Sequence, residues 1–288
     1  MSWRSESRTH REPKCRNIRE GKIMKTEKNN KLIGITEHGD AALDLSWVNK
    51  LNTVAGAIVI TKFPGSPAFR NACVANRDRL IVHATITGNG GTVYEPNVKP
   101  WQDSLDDLGR LILAGFPAER IVLRCDPIIP TRPGLLNAYA MLCNFAARDL
   151  GITRVRVSIV DNYRHVQDRF REAGLPVLYG GKFAPPEQEV RCTSNMLQAA
   201  LGSHPEIWIV SCAEPLLAEM SAKLGNKAVE QEGCVSIRDT ELLGIDPGDV
   251  GINPQHRNGC LCLAAKTELL PRHQGPCPFG CLYCFWRK

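Results

Sequence analysis

Six short apolar runs, each followed by a stretch of helical spacing, constrain this chain more than any other feature. The runs lie at 31–36, 56–61, 80–87, 120–126, 155–160 and 207–212. Stretches with helical spacing follow at 44–48, 66–75, 105–114, 134–149, 161–173 and 214–224, and one more at 190–201. In the third, Leu105, Leu108, Leu111 and Ile112 recur on one face, and Ser104 is the expected N-cap. Near-continuous apolar runs read as strands buried on both faces, which parallel sheets require. Regular alternation of strand and helix then predicts an α/β fold with parallel strands. The number of repeats favours a parallel β/α barrel, full or partial, over a doubly wound sheet. No G-x-G-x-x-G follows the first run, so a dinucleotide-binding fold has no positive support. Pro127 and Pro130 are expected to stop the fourth strand.

Outside these repeats the pattern fails. Residues 1–31 have no apolar periodicity and are expected to form a disordered basic leader. The barrel is expected over 32–225, and 226–288 as a cysteine-rich tail without a core of its own, packed over the barrel mouth. Of the 36 Lys/Arg and 30 Asp/Glu, residues 1–32 hold ten and four, so the whole net charge of +6 sits there. The body is neutral, which gives no general case for a polyanionic partner. No apolar run is long enough to span a membrane. The polar, basic start has no apolar core of a secretory signal, so the expected compartment is the cytoplasm. Twelve cysteines there read as metal ligands or buried thiols rather than a disulfide framework.

The densest cysteine motif is Cys277-Pro278-Phe279-Gly280-Cys281-Leu282-Tyr283-Cys284, a C-x3-C-x2-C spacing with an aromatic before the third cysteine. Three thiolates suit a [4Fe–4S] cluster with one iron left open, whereas such clusters are ordinarily held by four. An open position is what a catalytic metal needs. Zinc uses similar spacings, and His273 could complete a closed zinc site. Cys212, Cys234 and the pair Cys260 and Cys262 form a second candidate set, for zinc or a second cluster. Cys73, Cys125, Cys143 and Cys192 fall inside expected elements and read as buried thiols.

In barrels the chemistry gathers at the C-terminal ends of the strands. Here those ends carry 36–40, Thr61 and Lys62, 87–97, 124–126, 161–163 and 212–214. Most are polar or charged.

The C-x3-C-x2-C motif resembles the signature of the radical S-adenosylmethionine (SAM) enzymes. The strand ends, taken together, resemble domain-of-unknown-function family 1848, a radical-SAM-like barrel family, from about Ile33 to Trp286. The matching pieces are Thr61-Lys62 with Pro64, Glu95-Pro96-Asn97, Arg124-Cys125-Asp126-Pro127-Ile128, and Ser158 with Asp161 and Tyr163. Cys212-Ala213-Glu214, Cys234, Cys260-Leu261-Cys262 and the terminal triad complete them. The family's Arg-rich opening segment is replaced by 36–42, which keeps only Asp40. Its Asp-Ile-Gly ahead of the terminal triad is not visible.

The resemblance implies a cluster on Cys277, Cys281 and Cys284, with SAM on the open iron. Reduction would cleave SAM to methionine and a 5′-deoxyadenosyl radical that abstracts hydrogen from an unidentified substrate. Arg124 or Lys62 would grip the SAM carboxylate. Glu95, Asn97, Asp126 or Asp161 would accept from its amine and ribose, and Tyr283 would shield the cluster or approach adenine. An electron donor such as flavodoxin or ferredoxin is implied, and fold-level association with relatives acting on nucleic acid would suggest such a substrate. A second reading is a non-catalytic zinc or iron–sulfur protein whose tail binds nucleic acid or a partner.

Overall fold

The computed structural model describes residues 32–246, 261–263, 266–271 and 277–286. Eight parallel strands form one sheet: β1 (Ile33–Ile35), β2 (Gly56–Thr61), β3 (Leu80–Thr85), β4 (Ile121–Ile128), β5 (Arg154–Ile159), β6 (Trp208–Ser211), β7 (Val229–Gln231) and β8 (Lys266–Glu268). Strands β1 to β7 lie side by side in chain order, and β8 pairs with the free side of β1. That is the order of a β/α barrel, not of a doubly wound sheet, whose order reverses at a switch point. Among the described residues no ladder joins β7 to β8, so the sheet has two edges there. The expected parallel sheet is present and its closure stops at that gap.

Alternation along each strand sends side chains to two different cores. On one side Ala57, Val59, Leu80, Val82, Leu123, Val155 and Val157 pack against the helices α1 (Pro67–Ala75), α2 (Trp101–Leu113), α3 (Arg132–Ala147), α5 (Glu187–Leu201) and α6 (Pro215–Leu224). On the other, Ile33, Ile35, Ile58, Ile81 and Val122 meet Val235, Leu263, Leu242 and Leu243. The last two belong to α7 (Ile237–Leu243), which fills the inner face of the sheet. A capping box of Ser236 and Asp239 starts α7. Asp239 also accepts from Arg154 Nη2 at 2.6 Å, so one buried carboxylate both begins the helix and ties it to β5.

Four details depart from the sequence reading. The segment 226–288, expected as a coreless tail, supplies β7 and β8 to the sheet and α7 to its inner face. Unlike the equally short β1, the strands β7 and β8 are mostly polar and lie in no apolar run, so only the partners reveal them. Helix α2 starts at Trp101, with Pro100 in extended geometry before it, and the Ser104 hydroxyl donates back to Pro100 O instead of capping. Strand β4 runs through Pro127 to Ile128, because the register shifts between Cys125 and Ile128 and the missing N–H falls in that irregularity. Cys192 faces solvent, whereas Cys73 and Cys125 are buried as expected. Residues 1–31, with the expected leader, lie outside the described residues, as do Cys260 and His273. No helix among the described residues is long and apolar enough to cross a membrane.

Candidate functional site at the C-terminal strand ends

Lys62 leaves the end of β2 and Glu95 lies in the loop after β3. Lys62 Nζ meets Glu95 Oε1 at 2.6 Å and the Tyr283 hydroxyl at 2.8 Å. Tyr283 donates to the same Glu95 oxygen, and Thr87 Oγ1 donates to the other at 2.7 Å. Glu95 and Tyr283 are almost wholly buried. Burial opposes the Lys62 charge, but Glu95, then Cys281 and Asp126, outweigh it and hold Lys62 above its ordinary range. Burial first, then Glu95, pushes the Tyr283 phenol well above its own range, so it stays protonated and donates. Before them stands Asp40, kept from the family-like opening segment. It accepts from Lys62 N at 2.6 Å, Thr61 Oγ1 at 2.7 Å and Ala42 N at 2.9 Å, which fixes the turns after β1 and β2.

The terminal segment is held to this rim largely through its backbone. Leu282 N donates to Tyr94 O at 3.0 Å, and Arg169 Nε, from α4 (Arg164–Glu172), donates to Leu282 O at 2.8 Å. Asn97 Nδ2 donates to Pro278 O at 2.7 Å and His165 contacts Phe285 O at 3.1 Å. The His38 ring stands edge-on to Trp286 at 5.1 Å. Within the segment, Gly280 takes φ +64°, a left-handed turn that glycine adopts without strain. Gly280 N then donates to Cys277 O at 3.2 Å and Cys284 N to Cys281 O at 3.3 Å. Two tight turns in succession bring the three thiols into one region. Burial raises the Cys281 thiol to about 11, opposed by Lys62 and aided by Glu95, Cys284 and Cys277. Phe279, Cys281 and Tyr283 pack with Tyr94, Val98, Ile129 and Phe170 in a separate apolar cluster at this end of the sheet.

Deeper in, inward positions of β4 and β5 carry Arg124, Asp126, Arg154, Arg156 and Ser158. Arg124 Nη2 and the Ser158 hydroxyl both donate to Asp126. Burial would raise Asp126, but Arg124 and Ser158 hold it below its ordinary value. Arg124 and Arg156 are register partners, side by side on neighbouring strands. Arg156 donates to Glu232 O at 3.1 Å and Gly233 O at 2.9 Å. His83, inward on β3, is buried and held neutral by desolvation and the three nearby arginines.

Cys212, Cys234 and Cys262 converge, their sulfurs all within 4.8 Å of one another. They come from the end of β6, the segment after β7 and the segment before β8. The terminal triad is looser and does not form such a tight group. Asn97 anchors Pro278 through its amide nitrogen. Asp161 sits half-exposed in the turn after β5, where its carbonyl accepts from Tyr163 N and its charge helps raise the Tyr179 phenol after burial and Glu214. Lys62, Glu95 and Tyr283 form one hydrogen-bonded set.

Sequence reasoning missed Arg154, Arg156, Glu232, Asp239 and Arg169. The signal for the first two was present: Arg154-Val155-Arg156-Val157-Ser158-Ile159 alternates strictly, with Val155, Val157 and Ile159 on the helix side. Read as a continuous apolar run, it hid the two inward arginines.

An eight-stranded parallel β/α sheet whose strand ends carry a cysteine-bearing segment defines the class. The chain belongs to the family described as "Domain of unknown function (DUF1848)", whose model matches residues 46–286. No curated protein matches it. Among solved structures, the carboxyl transferase domain of Rhizobium etli pyruvate carboxylase is similar at 9% identity and a TM-score of 0.27, over 77% of this chain and 46% of that one. The chain thus spans less than half of that structure, and a likeness this low carries no argument.

Proposed function

We propose that this is a radical SAM-type enzyme whose [4Fe–4S] cluster is held by Cys277, Cys281 and Cys284. The observation that carries this reading is the terminal segment, bound by its backbone across the C-terminal strand ends with Cys281 beside Lys62. The donor set fits such a group: three thiols on consecutive tight turns, next to a cation, under an apolar cover of Phe279, Tyr94 and Phe170. Three ligands leave the fourth iron open, as chelation of SAM requires. When bound, the reduced cluster supplies the electron that splits SAM into methionine and a 5′-deoxyadenosyl radical.

The chain's own residues have separate tasks. Lys62 is the cation whose charge acts on Cys281, so it rather than Arg124 faces an incoming carboxylate. Two of its donors go to Glu95 and Tyr283, leaving one for a ligand. Glu95 and Thr87 keep the ammonium charged and aimed. Arg169 and Asn97 hold the carbonyls of the cysteine segment, which keeps the triad from swinging away. The substrate is an organic molecule entering over these strand ends. An electron donor of the flavodoxin or ferredoxin type completes the proposal.

The test is electron paramagnetic resonance of anaerobically purified, dithionite-reduced protein, with and without SAM. A [4Fe–4S]⁺ signal that changes shape with SAM, and is lost in Cys281→Ala, is expected. Lys62→Met should keep the cluster signal yet need at least tenfold more SAM for the change, about 1.4 kcal/mol of lost binding. A cluster signal indifferent to SAM, or zinc in place of iron at the triad, would overturn the reading in favour of a structural metal protein.

A further inference from the structure

Three cysteines lie outside the proposed cluster and close to one another. Cys212 follows β6, Cys234 follows β7 and Cys262 precedes β8, and their sulfurs fall within 4.8 Å of each other. Two sulfurs on one tetrahedral ion, each about 2.3 Å from it, stand about 3.8 Å apart. A cubane places each thiolate on a different iron and spreads the sulfurs further. The spacing therefore suits one ion, not a cluster. Soft thiolates select zinc-like ions over magnesium or calcium.

The surroundings point the same way independently. Arg124 Nε and Arg156 Nε are buried and have no hydrogen-bond acceptor among the described residues. Arg156 donates to Gly233 O, next to Cys234, at 2.9 Å, so its guanidinium lies against the cysteine segment. Arg124, Arg156 and Lys266, on β8, pair with Asp126, Glu232 and Glu37. A divalent ion on three thiolates would carry a net charge of −1, an anionic group next to the Arg156 side chain.

The backbone is shaped for the approach. A Cβ on Gly233 would lie 2.5 Å from Leu261 O and 2.7 Å from Cys262 Cα, so only glycine lets the two segments close. Leu263 N donates to Val235 O at 3.1 Å, and Cys234 N points at the Cys262 sulfur at 3.2 Å.

We infer that Cys212, Cys234 and Cys262 bind a single zinc-like divalent ion that joins the segments after β6 and β7 to the one before β8, across the gap where strand pairing stops. The site stands apart from the terminal triad and does not depend on the radical reading.

The test uses the full chain with Cys277, Cys281 and Cys284 changed to Ala, so that the terminal cysteines bind nothing. Elemental analysis after growth with zinc should find one Zn²⁺ per chain, falling more than tenfold when Cys234→Ser is added. Loading with Co²⁺ should give thiolate-to-cobalt charge-transfer absorption. Cys262→His, which keeps a ligand but removes one sulfur of three, should keep the ion and lower that absorption by about a third. This variant decides the matter even if Cys234→Ser fails to fold. Several irons with inorganic sulfide, no metal, a disulfide among the three cysteines, or an absorption unchanged in Cys262→His would each overturn the assignment. Loss of the SAM-dependent resonance in the otherwise native chain, with the zinc retained, would instead count against the radical reading alone.

Discussion

Asp126 meets Arg124 and Ser158 at once, and its acidity follows from them. Its folded pKa lies below the ordinary value of about 3.9, so the unfolded chain holds more protons in acid. The carboxylate therefore adds stability above about pH 4, and that contribution is lost as pH falls through the folded pKa. Asp126→Asn should be less stable than the native chain at pH 7, with the difference shrinking towards pH 3. Urea midpoints across that range measure it, and two parallel curves would refute the assignment. Glu95 is a sharper case. Glu95→Ala strands Lys62, Thr87 and Tyr283 in the interior and should cost about 3 to 5 kcal/mol. Tyr283→Phe leaves the Lys62–Glu95 pair intact and should cost about 1 kcal/mol. Similar losses for the two variants would mean that Tyr283, not the ion pair, organises the rim.

Among the elements, α7 depends on a single carboxylate in two roles. Asp239→Asn should keep part of the cap yet leave Arg154 only its longer, 3.4 Å contact with Glu232, for a loss of about 3 kcal/mol in denaturant titration. Ser236→Ala removes only the cap and should cost about 1 kcal/mol. Equal losses would show that the ion pair contributes little. The same helix marks where the sequence stopped being legible. Six strands and their helices could be read because each strand lies in an apolar run, even the three residues of β1 and the four of β6. Strand β2 at Gly56–Thr61 matches its expected run, and Ser66 accepts from Phe69 N as a cap for α1 should. The strands β7 and β8 are short and mostly polar, Val229-Glu230-Gln231 and Lys266-Thr267-Glu268, and α7 has only seven residues, so none of them declares itself. The rim was legible where a charge stood at a strand end, as at Lys62, Glu95 and Asp126. Arg169 was not, because it holds the terminal segment by bonding to main-chain carbonyls, whose positions only the fold decides.

For the whole molecule, the sheet order makes the region around β7 and β8 the place where the shell is least tied by hydrogen bonds. If one ion joins Cys212, Cys234 and Cys262 there, stripping it with a strong chelator should act locally. Amide exchange should accelerate at 208–211, 229–231 and 266–268, while β2 to β4 stay protected. Uniform acceleration would mean that the ion supports the fold globally.

The ladder between β1 and β8 pairs Ile33 with Lys266, near the two ends of the described chain. So remote a contact closes late in folding, after the strands that pair with their immediate successors. Until then Ile33 and Ile35, fully buried in the finished sheet, line a bare parallel edge. A newly made chain is thus expected to pass through a sticky, seven-stranded stage whose lifetime is set by the arrival of β8. Pulse-labelled amides at 33–35 and 266–268 should be the last to gain protection.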